Sequence, residues 1–167
     1  MRNDFVRLSV VAIAAIALSG TARAQTTNMS ATATVVTPLT VTKAADLVFG
    51  TVYPGLDKVI NGASAGSEGK FTISGFSGAT VYISFTLPAT LAGPASLAID
   101  TWTGYQGVGA TQTTGGTAFT PSASTSSVVL GASASNVFIG ASVHPTYTQL
   151  AGAYTGTIVM TTVYSGS

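Results

Sequence analysis

An all-β antiparallel sandwich of about eight or nine short strands is the fold this sequence predicts, on three observations. Apolar residues recur with period two along most of the chain. Gly, Ser, Thr and Pro bound those alternating runs as turn signals. Beyond the first 24 residues no stretch carries a capped helical period. Short alternating runs with turn signals between them are the pattern of two packed antiparallel layers.

The first 24 residues read as a signal peptide and stand outside the fold. Arg2 and Arg7 give a positive start, Leu8 to Leu18 is a small-apolar run, and Ala22-Arg23-Ala24 offers a small-x-small cleavage site. That run has 11 residues, whereas a membrane-spanning helix needs roughly 20. The expectation is therefore a protein secreted to the periplasm or the bacterial cell surface, beginning at Gln25, with no membrane span after cleavage. The chain has no cysteine, which excludes disulfides and lipid attachment at a thiol.

Cleavage leaves 143 of the 167 residues, enough for one domain with a real core. They divide into an N-terminal extension or first strand at 25–37 and a sandwich domain at 38–167. The charges that remain are Lys43, Lys58, Lys70, Asp46, Asp57, Glu68 and Asp100, a net of −1. Soluble domains carry about a quarter charged residues, so this chain lacks a solvating coat that keeps copies apart. Ordered alternation of Val, Ile, Leu, Phe and Tyr argues that it folds nonetheless. Three lysines and no arginine after cleavage exclude a phosphate-tracking surface, and with it nucleic acid as a partner.

Each element follows from its alternation. In 80–88, Val81, Ile83, Phe85 and Leu87 share one face while Tyr82, Ser84 and Thr86 share the other. In 96–104, Leu97 and Ile99 are expected opposite Asp100 and Trp102. Residues 136–144 align Val137, Ile139, Ala141 and Val143. Residues 154–164 align Tyr154, Ile158, Met160 and Tyr164 against Val159 and Val163. Shorter strands are expected at 47–53, 70–75, 117–120 and 127–131. Two stretches read as loops: 55–70, which holds most of the charges and an Asn61-Gly62 turn signal, and 103–116, rich in Gly, Thr and Gln.

Chemistry-bearing residues are few. Asp46, Asp57, Glu68 and Asp100 show no pair spacing suited to general acid–base work. His144, the sole histidine, reads as a strand-end residue before the turn-making Pro145 rather than as a triad base serving one of the many serines. One histidine and no cysteine argue against zinc or a redox metal. Residues 64–71 resemble a phosphate loop but lack its first glycine and its final hydroxyl, and 104–109 fails the dinucleotide fingerprint. Asn28-Met29-Ser30 matches a glycosylation sequon, and Lys43 and Lys70 sit where an internal amide crosslink is conceivable. No enzyme activity and no cofactor are expected. Trp102 and Tyr105, beside the 103–116 loop, are the residues through which a self-contained sandwich would contact a surface glycan, although the reading favoured for Trp102 is that it covers the outer face of its sheet.

Residues 31–55, ATATVVTPLTVTKAADLVFGTVYPG, with the ending AGAYTGTIVMTTVY at 151–164, resemble the family catalogued as domain of unknown function 4402, small secreted bacterial proteins. The resemblance at 56–150 is one of general β character. That family is similar to spore-coat-U-like and chaperone–usher fimbrial subunits. The resemblance implies an immunoglobulin-like sandwich that lacks one strand and receives it from a neighbour's N-terminal extension, with a periplasmic chaperone or another copy as partner. Such subunits end in a strand with a glycine twelve residues before an aromatic. Gly152 and Tyr164 reproduce that spacing, with Tyr154, Ile158 and Met160 between them, although Tyr164 is fourth from the end. Many of these subunits carry a disulfide, and this chain has none.

Residues 31–42 alternate almost without interruption, with Ala31, Ala33, Val35, Thr37, Leu39 and Val41 on one face. Twelve residues would span roughly 40 Å, about twice a typical strand. Pro38 has no N–H to donate, so it marks an edge, a bulge or a crossing between sheets. The run therefore reads as two pieces, 29–37 and 39–43. The second belongs to this domain; the first pairs either within the subunit or with a neighbour. The function expected is that of a secreted, non-catalytic structural subunit that self-assembles at the cell surface. The alternative is the glycan-binding sandwich.

Overall fold

The computed structural model describes residues 24–64, 66–111, 114–132 and 134–166. The proposed signal peptide lies, but for Ala24, outside the described residues. Among the described residues there is no helix, and none is long and apolar enough to cross a membrane. Ten strands among the described residues form two antiparallel sheets, an all-β, sandwich-like arrangement. They are β1 (Thr40–Ala45), β2 (Lys58–Ile60), β3 (Gly69–Ser74), β4 (Thr80–Thr86), β5 (Thr90–Ala92), β6 (Ser96–Val108), β7 (Thr117–Phe119), β8 (Ser126–Val129), β9 (Ser135–His144) and β10 (Val159–Tyr164).

The larger sheet runs β1-β3-β9-β6-β5, with β2 paired to the end of β9 and β7 to the later part of β6. The smaller runs β10-β4-β8. Inward alternation follows the sequence in β4, where Val81, Ile83 and Phe85 are buried while Tyr82 and Thr86 are exposed. In β10, Met160 and Tyr164 pack inward while Val159 and Val163 face solvent.

The two sheets differ in extent, and this divides the core. Val81, Ile83, Phe85, Val128 and Leu130 come from β4 and the β8 region and close on Ile73, Val137 and Ile139 of the larger sheet. A second buried cluster, Leu97, Ile99, Ala141 and Val143, belongs wholly to β6 and β9. No strand of the smaller sheet covers it. Leu47, Phe49, Val52 and Tyr154, from the segments before β2 and β10, pack over it instead. Burying such side chains contributes roughly 1.5–3 kcal/mol each.

Several expectations are corrected. The 47–53 run is no strand: it crosses the open half of the larger sheet as an irregular cover. Two three-residue strands, β2 and β5, lie where none was expected. The polar 103–116 stretch is strand as far as Val108, because β6 is held between β9 and β7. Trp102 does not face away from Ile99. Pairing of β6 with β9 slips between Asp100 and Thr103, and Thr101 takes a left-handed φ of 51°. This bulge leaves Asp100 and Thr101 both exposed and returns Trp102 to the core side, where it touches both clusters. The ending at 154–164 is not one strand either. Thr155 bridges Ala92 beside the larger sheet, and only from Val159 does the chain pair with β4. Gly152, at φ 149°, and Gly156 lie in this crossing, both packed against prolines.

Candidate functional site

Where the smaller sheet stops short, the core is open. A cavity of ≈ 940 Å³ lies between the end of β1 with the 45–54 segment and the 151–158 segment leading into β10. Its floor includes Leu97, Ile99, Val143 and Trp102; its walls include Phe49 and Tyr154. Lys43 and Asp46 stand at the β1 side, paired to each other at 2.8 Å and exposed. This lining is predominantly apolar, so it favours an apolar or backbone-satisfied occupant over a charged one. Among the described residues β1, whose Lys43 and Ala45 line the opening, and β10, which begins just past the lining residue Ile158, are each paired on one side only, to β3 and β4. Such edges present backbone donors and acceptors to a further strand.

The candidate assembly residues lie outside any strand. Ala31, Ala33, Val35 and Thr37 are exposed, Val35 to 95%. β1 begins at Thr40, two residues past Pro38. The compact unit that holds the ten strands begins at Val35. Within it, Tyr164 Oη donates to the Thr37 carbonyl at 2.7 Å and accepts the Phe76 N–H at 2.9 Å. The chain thus enters the domain at the end of β10 remote from Ile158, the cavity-lining residue just before Val159. Six strand residues, roughly 20 Å, separate the two. Tyr154 Oη donates to the Leu150 carbonyl at 2.7 Å and accepts Gln149 Nε2 at 2.8 Å, which ties down the wall opposite Phe49.

The structure does not bring Trp102 and Tyr105 together. Trp102 packs into the core and lines the cavity. Tyr105 lies opposite Phe138, which alternates with the inward Val137 and Ile139, so its ring is on the outer face. Its hydroxyl accepts the Gly116 N–H at 3.0 Å, holding the turn before β7.

An arrangement that spacing did not reveal surrounds His144 at the end of β9. Its Nδ1 lies 3.0 Å from Asp57 Oδ2 and its Nε2 lies 2.8 Å from Asp100 Oδ1. The hydrogen bond to Asp100, then that to Asp57, holds the imidazole above the usual histidine range against a smaller opposing effect of burial. Asp100 is held below the usual carboxylate range by the Thr101 hydroxyl at 2.7 Å and then by His144. Both ring nitrogens are taken by carboxylates, so neither is aimed at a hydroxyl as a triad base requires. Among the described residues no group of three or more His, Cys, Asp or Glu side chains is arranged to hold a metal. The one signal in the sequence was that His144 ends an alternating run and Asp100 lies within another, which cannot reveal strand order.

Comparison of the chain with protein-family models, with curated proteins and with solved structures finds no match.

Proposed function

We propose that this protein is a secreted, non-catalytic structural subunit of fimbrial or related self-assembling type, with an immunoglobulin-like sandwich open along one seam. The resemblance of residues 31–55 and 151–164 to domain of unknown function 4402 motivates the reading. The observation that carries it is the separation of two complementary features. The apolar cavity lies beside the start of β10, and the chain carrying the exposed 29–37 run enters at the other end, where Tyr164 holds Thr37.

In this reading the run is a strand for another copy. Its odd face of Ala31, Ala33, Val35 and Thr37 is small enough to enter a groove floored by Leu97, Ile99 and Trp102. The one-sided edges of β1 and β10 supply backbone ladders, so strand addition satisfies the main chain while alternate side chains fill the cavity. Insertion at one end and donation from the other is a head-to-tail contact, which propagates into a linear polymer. A periplasmic chaperone would occupy the seam before assembly. Export as mature protein from Gln25 onward belongs to the same proposal.

The test is size-exclusion chromatography and negative-stain microscopy of the mature protein, with and without an excess of a synthetic peptide spanning 25–37. Polymers that the peptide caps or shortens support the reading. A monomer that does not bind the peptide refutes it.

A further inference from the structure

We propose that His144, which does not itself line the cavity, is a proton-operated latch on the 46–57 segment that forms one wall of it, closed as imidazolium and released when the ring loses its proton. The geometry carries this. A neutral imidazole has one N–H and one lone pair, whereas the imidazolium has two N–H donors. Here both nitrogens face carboxylate oxygens, at 2.8 Å and 3.0 Å. Both contacts are hydrogen bonds only while both nitrogens are protonated. When the proton leaves to water, one nitrogen turns a lone pair on an anionic oxygen, and that contact becomes repulsive.

Asp57 is the arm that gives way. Asp100 sits on β6, paired to β9 in the interior of the larger sheet, and makes the shorter contact. Asp57 closes the 46–57 segment, whose Leu47, Phe49 and Val52 cover the second cluster and line the cavity. Nearby, that segment is also tied by the Gly55 N–H, shared between the carbonyls of Pro145 and Thr146 at 3.1 and 3.2 Å. Tyr147 lies against Gly55 with its ring otherwise exposed.

Of the charged and titratable groups on the elements around His144, only Asp57 and Asp100 face the ring. Lys58 on β2 is paired with Val143 and so shares the opposite face, Asp46 is engaged by Lys43, and Tyr105 lies toward the far end of β6. Tyr53 and Tyr147, in the adjoining segments, are exposed and make no hydrogen bond to the ring. The raised affinity of His144 for its proton accords with this arrangement. The latch acts on the cavity wall whatever occupies the cavity, so it stands apart from the assembly reading.

The test is an NMR titration of the His144 ring alongside hydrogen exchange of the 47–56 amides, corrected for intrinsic rates, in wild type and Asp57→Asn. The wild-type midpoint should lie above the ordinary value of about 6.5. Exchange at Val48, Val52 and Gly55 should rise several-fold as pH passes it. Asp57→Asn should lower the midpoint and abolish the pH-dependence of exchange, since an amide can accept from the ring N–H or donate to its lone pair. Asp57 is largely exposed, so the substitution leaves the core intact. Loop exchange that ignores the His144 midpoint in wild type, or a midpoint unmoved in Asp57→Asn, would overturn the proposal.

Discussion

Tyr164 Oη donates a 2.7 Å hydrogen bond to the carbonyl of Thr37, joining residues 127 positions apart. The same oxygen accepts the Phe76 N–H at 2.9 Å, so one phenol holds the entry of the chain and the β3–β4 turn against the end of β10. Removing the hydroxyl costs both bonds while keeping the ring. Tyr164→Phe should lose about 1–2 kcal/mol, measured as a lower denaturant midpoint with unchanged slope. It should also speed proteolysis within 35–39, and an unchanged cleavage rate would show that the bond does not anchor the segment.

Val35 is 95% exposed, so Val35→Asp should change the stability of the isolated subunit by no more than about 0.5 kcal/mol. If 29–37 enters a neighbour's cavity, the same change should abolish assembly, because an unpaired buried carboxylate costs several kcal/mol. Thr34→Asp, on the opposite face, should be milder. Chromatographic size and thermal melting of the three proteins decide it: a Val35→Asp protein that melts markedly lower while wild type stays monomeric would mean the strand closes its own sandwich.

Gly140 lies where β2 crosses β9, and an added Cβ would collide with the Ile60 carbonyl and the Gly62 N–H. These are backbone atoms and cannot swing aside. Gly140→Ala should therefore cost about 1–3 kcal/mol or more and loosen β2. Gly166, with open space around it, is the control and should tolerate alanine. Equal melting temperatures for the two variants would contradict the close approach.

Trp102 joins both core clusters and floors the cavity. Trp102→Ala should cost up to about 3–5 kcal/mol, read as a fall in the denaturant midpoint. Trp102→Phe should recover most of that loss. A near-neutral Trp102→Ala would show that the ring is not held between the clusters.

The pH profile of stability follows from two groups of opposite sign. His144 binds its proton more tightly when folded, so its contribution is fully present below about 6.5 and fades as pH rises through its higher folded value. Asp100 is held low, so its contribution is present above about 3.9 and fades as pH falls through its lower folded value. Melting temperature should therefore be greatest between these limits. In His144→Ala the alkaline fall should disappear; if it persists unchanged, another group is responsible.

Alternation was sufficient in β4 and β10, whose ladder runs without a bulge, but not along β6, the longest strand. The inward sets Val81, Ile83, Phe85 and Ile158, Met160, Tyr164 are legible because successive side chains of a strand must point to opposite faces. Pro38 likewise marked the start of β1, since a residue without an N–H interrupts a ladder. Three features were decided only by tertiary structure. The bulge at Asp100–Thr103 turned Trp102 inward, and a one-residue slip has no signature in composition. β2 and β5, at three residues each, are too short to show a period and exist because β9 and β6 offer them an edge. The cavity and the His144 latch depend on how far one sheet extends over the other and on which strands lie side by side. Those are relations between residues as distant as Asp57, Asp100 and His144, and they form only when non-local pairing sets β6 and the segment before β2 beside the end of β9.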